Sequence, residues 1–124
     1  MEHAPGFLKL VNQERPYVKE ITVADARERL AKNPQALLVD VREDLEWMKD
    51  HAAQAMHLGK GILERDIEKT IPEHDREIIM YCGGGYRSVL TASVAQKMGY
   101  TKVSSLIGGY KALVKEAWPM KTGD

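Results

Sequence analysis

Two short apolar runs constrain this chain more than anything else in it: Leu37-Leu38-Val39-Asp40-Val41 and Glu77-Ile78-Ile79-Met80-Tyr81. Both are rich in branched residues and lack the in–out alternation of a half-exposed strand. They predict strands covered on both faces, as found in parallel sheets wrapped by helices. Weaker strand signals lie at Tyr17–Ile21, Ala55–Leu58 and Lys102–Leu106. Helical patterns fall between them. Thr22 and Asp25 form a capping-box pattern, after which Val23, Ala26 and Leu30 share a face until Asn33-Pro34 stops the run. A charged stretch holding Leu45, Trp47 and Met48 predicts a short helix. Leu63, Ile67 and Ile71 recur at helical spacing before Pro72, and Leu90, Val94 and Met98 stripe a helix that Gly99 ends. Tyr110 to Trp118 predicts a closing helix before Pro119. Residues 1–16, with Pro5, Gly6 and Pro16 as breakers, read as an irregular lead-in, and 119–124 as a tail. The expectation is an α/β fold: one domain over residues 17–118, with a central, mainly parallel five-stranded sheet and helices on both faces.

Composition narrows the chemistry. Eighteen Lys+Arg balance eighteen Asp+Glu, so there is no global pull toward nucleic acid or an anionic membrane. One cysteine excludes an internal disulfide framework, a four-cysteine zinc site and a two-cysteine redox relay within the chain. The histidines, His3, His51, His57 and His74, lie far apart with no metal-ligand spacing, so neither metal nor cofactor is expected. No run approaches the ~18 apolar residues that span a bilayer. Glu2 and His3 stand where a secretory leader carries Lys or Arg, and Phe7–Val11 is short and broken by Lys9. A cytoplasmic location, with a reducing environment that suits a free thiol, is the expectation.

The most informative segment follows the second apolar run: Cys82, then Gly83, Gly84 and Gly85, then Tyr86, Arg87 and Ser88 at the head of a helix. In a parallel α/β sheet, ligands bind at loops that leave the carboxyl ends of strands. Glycines let successive amides turn inward, and beside a helix N-terminus such amides form an anion-binding nest that favours thiolate over thiol. Arg87 adds a permanent cation able to fork onto an oxyanion. The segment reads as a cradle for a thiolate nucleophile facing an anionic substrate. Packing alone gives no reason for three glycines and an arginine after a buried cysteine. Two other glycine-rich readings fail: a P-loop needs Lys before the Ser/Thr, and a dinucleotide fingerprint needs a third glycine where Ser88 stands.

Cys82-Gly-Gly-Gly-Tyr-Arg87-Ser88 resembles the active-site loop of single-domain rhodaneses, the sulfurtransferase family whose catalytic Cys is separated from Arg by four residues. Asp40-Val41-Arg42-Glu43 resembles the family's D-V-R-E signature, with Glu46 and Trp47 at its usual acidic and aromatic positions. His51 and Ala55 match its histidine motif, although Asp50, Ala52 and Gln54 replace the motif's Gly, Ile and Gly. Gly108-Gly109-Tyr110 resembles its late G-G-aromatic motif. The resemblance implies a rhodanese-like domain in which Cys82 takes sulfane sulfur from a small anionic donor such as thiosulfate. The resulting persulfide passes its sulfur to cyanide or a thiol, and a protein sulfur donor or acceptor is compatible with this. Amides of residues 83–88 would stabilise the sulfur's charge, and Arg87 would close the loop and bind the donor's oxyanion.

The resemblance also implies that Asp40 and Arg42 support the loop as an ion pair. Ser88 reads as a helix N-cap, His51 and His57 as structural, and Tyr86 and Trp47 as packing or pocket-lining aromatics. Two other classes stay open. A cysteine-loop phosphatase or arsenate reductase also ends its loop in Arg, but with five intervening residues. A non-catalytic interaction module could use the same scaffold, though such modules usually lack the cysteine or the glycines.

Overall fold

The computed structural model describes residues 3–123. In chain order the elements are α1 (Pro5–Glu14), β1 (Lys19–Ile21), α2 (Val23–Lys32), β2 (Leu37–Asp40), α3 (Asp44–Lys49), β3 (His51–Ala52), β4 (Met56–His57), α4 (Leu63–Thr70), β5 (Ile78–Tyr81), α5 (Arg87–Lys97), β6 (Val103–Leu106), α6 (Gly109–Lys115) and β7 (Met120–Lys121). The five-stranded sheet has the order β1-β6-β5-β2-β4, and every neighbouring pair is parallel. The two apolar runs are its central neighbours, in register from Leu37 opposite Ile78 to Asp40 opposite Tyr81.

Alternation along these strands divides the core in two. Ile78, Met80 and Cys82 join Val39, Val41 and Val103 on one face, under Val11 of α1, Leu63 and Ile67 of α4, and Val89, Ala92 and Ala95 of α5. Ile79 and Tyr81 join Ile21, Leu38 and Leu106 on the other, under Val23 and Ala26 of α2, Leu113 of α6, and Trp118. Burial on both faces is the physical reason the strand residues are apolar except Asp40, whose buried charge Arg42 answers.

Several expectations are corrected. Residues 1–16 are not an irregular lead-in, because Pro5 to Glu14 form α1. Pro5 is a start signal there, since a first-turn residue has no intrahelical N–H bond to lose. Val11 of α1 is fully buried and the helix packs on α5. Pro16 lies in a 3-10 turn, Arg15–Tyr17. Part of the expected tail, 119–124, is also structured, with β7 pairing antiparallel with β3. The closing helix stops at Lys115, short of Trp118. Ala117 takes a left-handed φ of 57°, its N–H reaches the Val114 carbonyl, and the Trp118 N–H reaches that of Leu113. This Schellman-type ending turns Trp118 back onto the core. On α5 the deepest residues are Val89, Ala92 and Ala95 with Ser88, Thr91 and Ser93, whereas the Leu90–Val94–Met98 stripe is only partly buried. A helix covered by the sheet, α1 and α4 needs small residues on a wide face, and this defeats a stripe drawn from large ones. No helix among the described residues is long and apolar enough to cross a membrane.

Candidate active site

The chain leaves β2 toward β4 at one edge of the sheet and leaves β5 toward β6 in the direction of the other edge. Connections that diverge at adjacent parallel strands open a crevice at their carboxyl ends. From β5 the cysteine loop enters that crevice, and from β2 come Arg42 and α3.

Cys82 is 1% exposed. Its Sγ accepts the Gly85 N–H at 3.2 Å and the Ser88 N–H at 3.3 Å, and the Ser88 hydroxyl lies at 3.4 Å. Of the amides expected to converge, these two make the hydrogen bonds to sulfur. Gly85 can do so because its φ is +93°, where an added Cβ would press on Gly108 N at 3.0 Å and Leu106 O at 3.2 Å. Ser88 is not the N-cap. Tyr86 precedes the helix without a side-chain cap bond, and Cys82 Sγ satisfies a first-turn amide in its place. The Ser88 hydroxyl instead bonds Ser105 Oγ at 2.7 Å, both residues buried.

The loop is braced from behind by the Gly108-Gly109 turn. Tyr110 N–H donates to the Cys82 carbonyl at 2.7 Å and Lys111 N–H to that of Gly83 at 3.1 Å. Gly109 sits so close that a Cβ would fall 2.4 Å from Cys82 O, at a φ of +52°. The Gly108-Gly109-Tyr110 motif is thus the clamp that fixes the nucleophile's backbone.

Arg87 is engaged, not free. Its guanidinium donates to both Glu46 carboxylate oxygens, at 2.7 and 3.0 Å, bridging the crevice between α5 and α3. The bond to Arg87 holds the Glu46 carboxyl below its usual range against a raising effect of burial, and the Glu43 amide adds to the lowering. Glu46 in turn raises Arg87. A depressed carboxylate contributes stability above its unfolded value, and that contribution is lost as pH falls through the folded value. The pair is therefore expected to stay intact at neutral pH and to open only below about pH 4.3. In an NMR titration the Glu46 carboxyl carbon should turn over below that pH, and Arg87→Gln should move the midpoint up. An equal midpoint in both proteins would show the pair absent.

Beneath this pair lies a second, buried one. Arg42 donates to Asp40 through Nε at 3.1 Å and Nη2 at 2.9 Å, with side-chain exposures of 4% and 0%. Arg42 Nη2 also reaches the Asp50 carbonyl at 2.7 Å. Its guanidinium lies 4.5 Å from the Tyr110 ring centroid, and the Tyr110 hydroxyl donates to Asp50 Oδ1 at 2.8 Å. Burial, then the Asp40 charge, pushes the Tyr81 hydroxyl well above its ordinary value, so it stays protonated. That hydroxyl accepts the Ala52 N–H at 3.0 Å. Trp47 stacks between His51, at 3.4 Å, and His57, at 4.7 Å. His51 Nδ1 pairs with the Trp47 carbonyl and His57 Nε2 with that of Arg42. Both histidines are bonded to backbone carbonyls.

In front of the loop opens a cavity of about 700 Å³, lined by Cys82, Gly83, Gly84, Tyr86, Arg87 and Glu46, by His3 and Phe7 at the start of the chain, and by residues of α6. Glu46, Ser105 and Gly109 are the site residues that spacing did not assign. Glu46 carried a signal, as an acid one helical turn beyond Arg42-Glu43, but its partner lies 41 residues away.

A family model, the Rhodanese-like domain, matches residues 22–116. The chain belongs to the rhodanese-like domain family. It is 32% identical over 96 residues to the thiosulfate sulfurtransferase GlpE of Coxiella burnetii, across 75% of this chain and 84% of that protein. It is 30% identical over 103 residues to a sulfurtransferase of Allochromatium vinosum, across 83% and 94%. Among solved structures, a Rhodopseudomonas palustris protein of unknown function, described as a "possible tyrosine phosphatase", aligns over 98% of both chains with a TM-score of 0.84 at 25% identity. The rhodanese-like match begins at Thr22, so α1, which brings Phe7 to the cavity, lies outside it.

Proposed function

We propose that this rhodanese-like protein is a sulfurtransferase that carries sulfane sulfur as a persulfide on Cys82. The reading rests on one observation above all: a lone cysteine at the carboxyl end of a central strand, its sulfur held by the Gly85 and Ser88 amides and facing a cavity. Those N–H groups stabilise negative charge on sulfur in each state of the cycle. The Cys82 thiolate attacks the outer sulfur of a donor such as thiosulfate. A new S–S bond forms, the donor's S–S bond breaks, and sulfite leaves with the electron pair. Cyanide or a thiolate then attacks the outer sulfur of the persulfide, and the pair returns to Cys82. Two half-reactions through one covalent intermediate predict ping-pong kinetics. Gly83, Gly84 and Tyr86 shape the entrance, Arg87 with Glu46 closes the loop, and Asp40 with Arg42 supports it from below. Because Glu46 already neutralises Arg87, a donor that does not depend on a free loop cation suits the site better than thiosulfate does. A protein donor or acceptor is compatible with the open cavity, and a reducing, cytoplasmic setting suits the free thiol.

The description of the Rhodopseudomonas protein raises a phosphatase as the second reading. Four residues separate Cys82 from Arg87 here, one fewer than phosphatase loops use to surround a phosphate. The test is intact mass after incubation with thiosulfate and, separately, with an organic persulfide. The native chain should gain one sulfur atom and lose it to cyanide, and Cys82→Ser should gain none. Failure with both donors would remove the sulfurtransferase reading, and p-nitrophenyl phosphate turnover lost in Cys82→Ser would replace it with the phosphatase.

A further inference from the structure

Much of the cavity in front of Cys82 is not needed to admit thiosulfate or cyanide. At about 700 Å³ it falls in the range, roughly 300–1,000 Å³, that holds drug-sized organic molecules. Its wall has two distinct parts. One is aromatic: His3 and Phe7 pack around Tyr86, with ring centroids 4.2 Å (His3–Tyr86) and 6.4 Å (Phe7–Tyr86) apart, and the Arg15 guanidinium lies 5.1 Å from the Tyr86 centroid. Phe7 belongs to α1, outside the segment that matches the family. The other is cationic. Lys111 and Lys115 lie one turn apart on α6 and share a face. Among the described residues of the lining, the remaining charges, Glu46 and Arg87, neutralise each other. Among the described residues, the cavity therefore presents an aromatic platform on the wall it shares with Cys82 and a pair of ammonium groups without a counter-charge in the lining.

We propose that the sulfur acceptor is an organic thiol with an apolar body and an anionic end. The body lies on Phe7 and Tyr86, the anion meets Lys111 and Lys115, and the thiolate is delivered to the Cys82 persulfide. In the transfer the acceptor's sulfur bonds the outer persulfide sulfur, the Cys82 S–S bond breaks, and its electron pair stays on Cys82 Sγ. The acceptor leaves as an organic persulfide and no external oxidant or reductant is used. Desolvated aromatic contact supplies affinity, and the rim lysines supply selection by charge. This deepens the sulfurtransferase reading and rests on it.

The experiment loads the protein with sulfur, by thiosulfate or by an organic persulfide, and removes the excess donor. It then compares three acceptors of similar thiol chemistry: 4-(mercaptomethyl)benzoate, its neutral carboxamide, and 2-mercaptoethanol. Second-order rates of persulfide loss are read by mass. Both ring-bearing thiols should outrun 2-mercaptoethanol, and the carboxylate should outrun the amide by about tenfold. In Lys111→Glu/Lys115→Glu, a change confined to exposed side chains, the carboxylate-to-amide ratio should fall to one or below. A wild-type ratio near one, a ratio unchanged by the double charge reversal, or ring-bearing thiols no faster than 2-mercaptoethanol would overturn the proposal while leaving the persulfide chemistry standing. A protein that acquires no persulfide, or acquires one that cyanide cannot remove, defeats the underlying sulfurtransferase reading, and this inference falls with it.

Discussion

Replacing Gly109 with alanine is expected to cost about 3 kcal/mol of stability and to lower sulfur transfer at least about tenfold. Three local effects add up. A residue with a Cβ held in the left-handed region at +52° is strained by about 1–2 kcal/mol. The new methyl would lie 2.4 Å from Cys82 O and 3.0 Å from its carbonyl carbon, both backbone atoms that cannot rotate away. Relieving the clash separates α6 from the loop and loses the bonds from Tyr110 N–H to the Cys82 carbonyl and from Lys111 N–H to the Gly83 carbonyl, each worth about 1 kcal/mol. Activity falls because the carbonyl being pushed belongs to the nucleophile, and small misplacements at a reacting atom carry large rate penalties. Gly84→Ala is the comparison. Its Cβ would meet only the Tyr86 ring, at 3.8 and 3.9 Å, and the stability change should stay within about 1 kcal/mol. Urea denaturation of both variants, with initial rates of sulfur transfer, checks the contrast. Equal effects at the two positions would show that the glycines act through flexibility and not through the clamp.

The second large effect is expected at Asp40. Asp40→Ala leaves the Arg42 guanidinium buried without its counter-charge, and removing one member of a buried pair costs about 3–5 kcal/mol. The damage reaches the site, because Arg42 also ties the Asp50 carbonyl and packs on Tyr110. Tyr110 is itself one of the clamp residues 109–111, and its hydroxyl bonds Asp50. The double variant Asp40→Ala/Arg42→Met, which buries no charge, should recover part of the loss. Thermal midpoints in the order wild type, double variant, single variant would support this account. A single variant as stable as wild type would mean that water reaches Arg42 and the pair is not buried in solution.

Particular residues show why some features were legible and others were not. The strands β2 and β5 announced themselves because burial on both faces demands a nearly continuous apolar run, a signal carried within about five residues. The α2 start was equally local, with Thr22 and Asp25 capping each other as their spacing implies. α1 escaped because Pro5 and Gly6 look like breakers, and its justification, Val11 and Phe7 against α5 and the loop, lies some eighty residues further on. Ser88 resembled an N-cap because it stands at a helix start. Its amide went to sulfur only once the loop had turned Cys82 over that first turn. Asp50, standing where the histidine motif has glycine, is used by the Tyr110 hydroxyl and the Arg42 side chain.

Read alone, the chain determined its α/β class, its five-stranded sheet, the loop carrying Cys82 and Arg87, and a likeness to the rhodanese family. All of these are written in contiguous residues, where periodicity, capping and loop length act. Tertiary structure decided what that loop faces. It placed Glu46 on Arg87, Ser105 on Ser88, Gly109 beneath Cys82, and Phe7 beside Lys111 and Lys115 at one cavity. The partners in the first two contacts lie 41 and 17 residues apart. No local pattern encodes such meetings, because they follow from which strands become neighbours in the sheet and where their diverging connections leave a crevice.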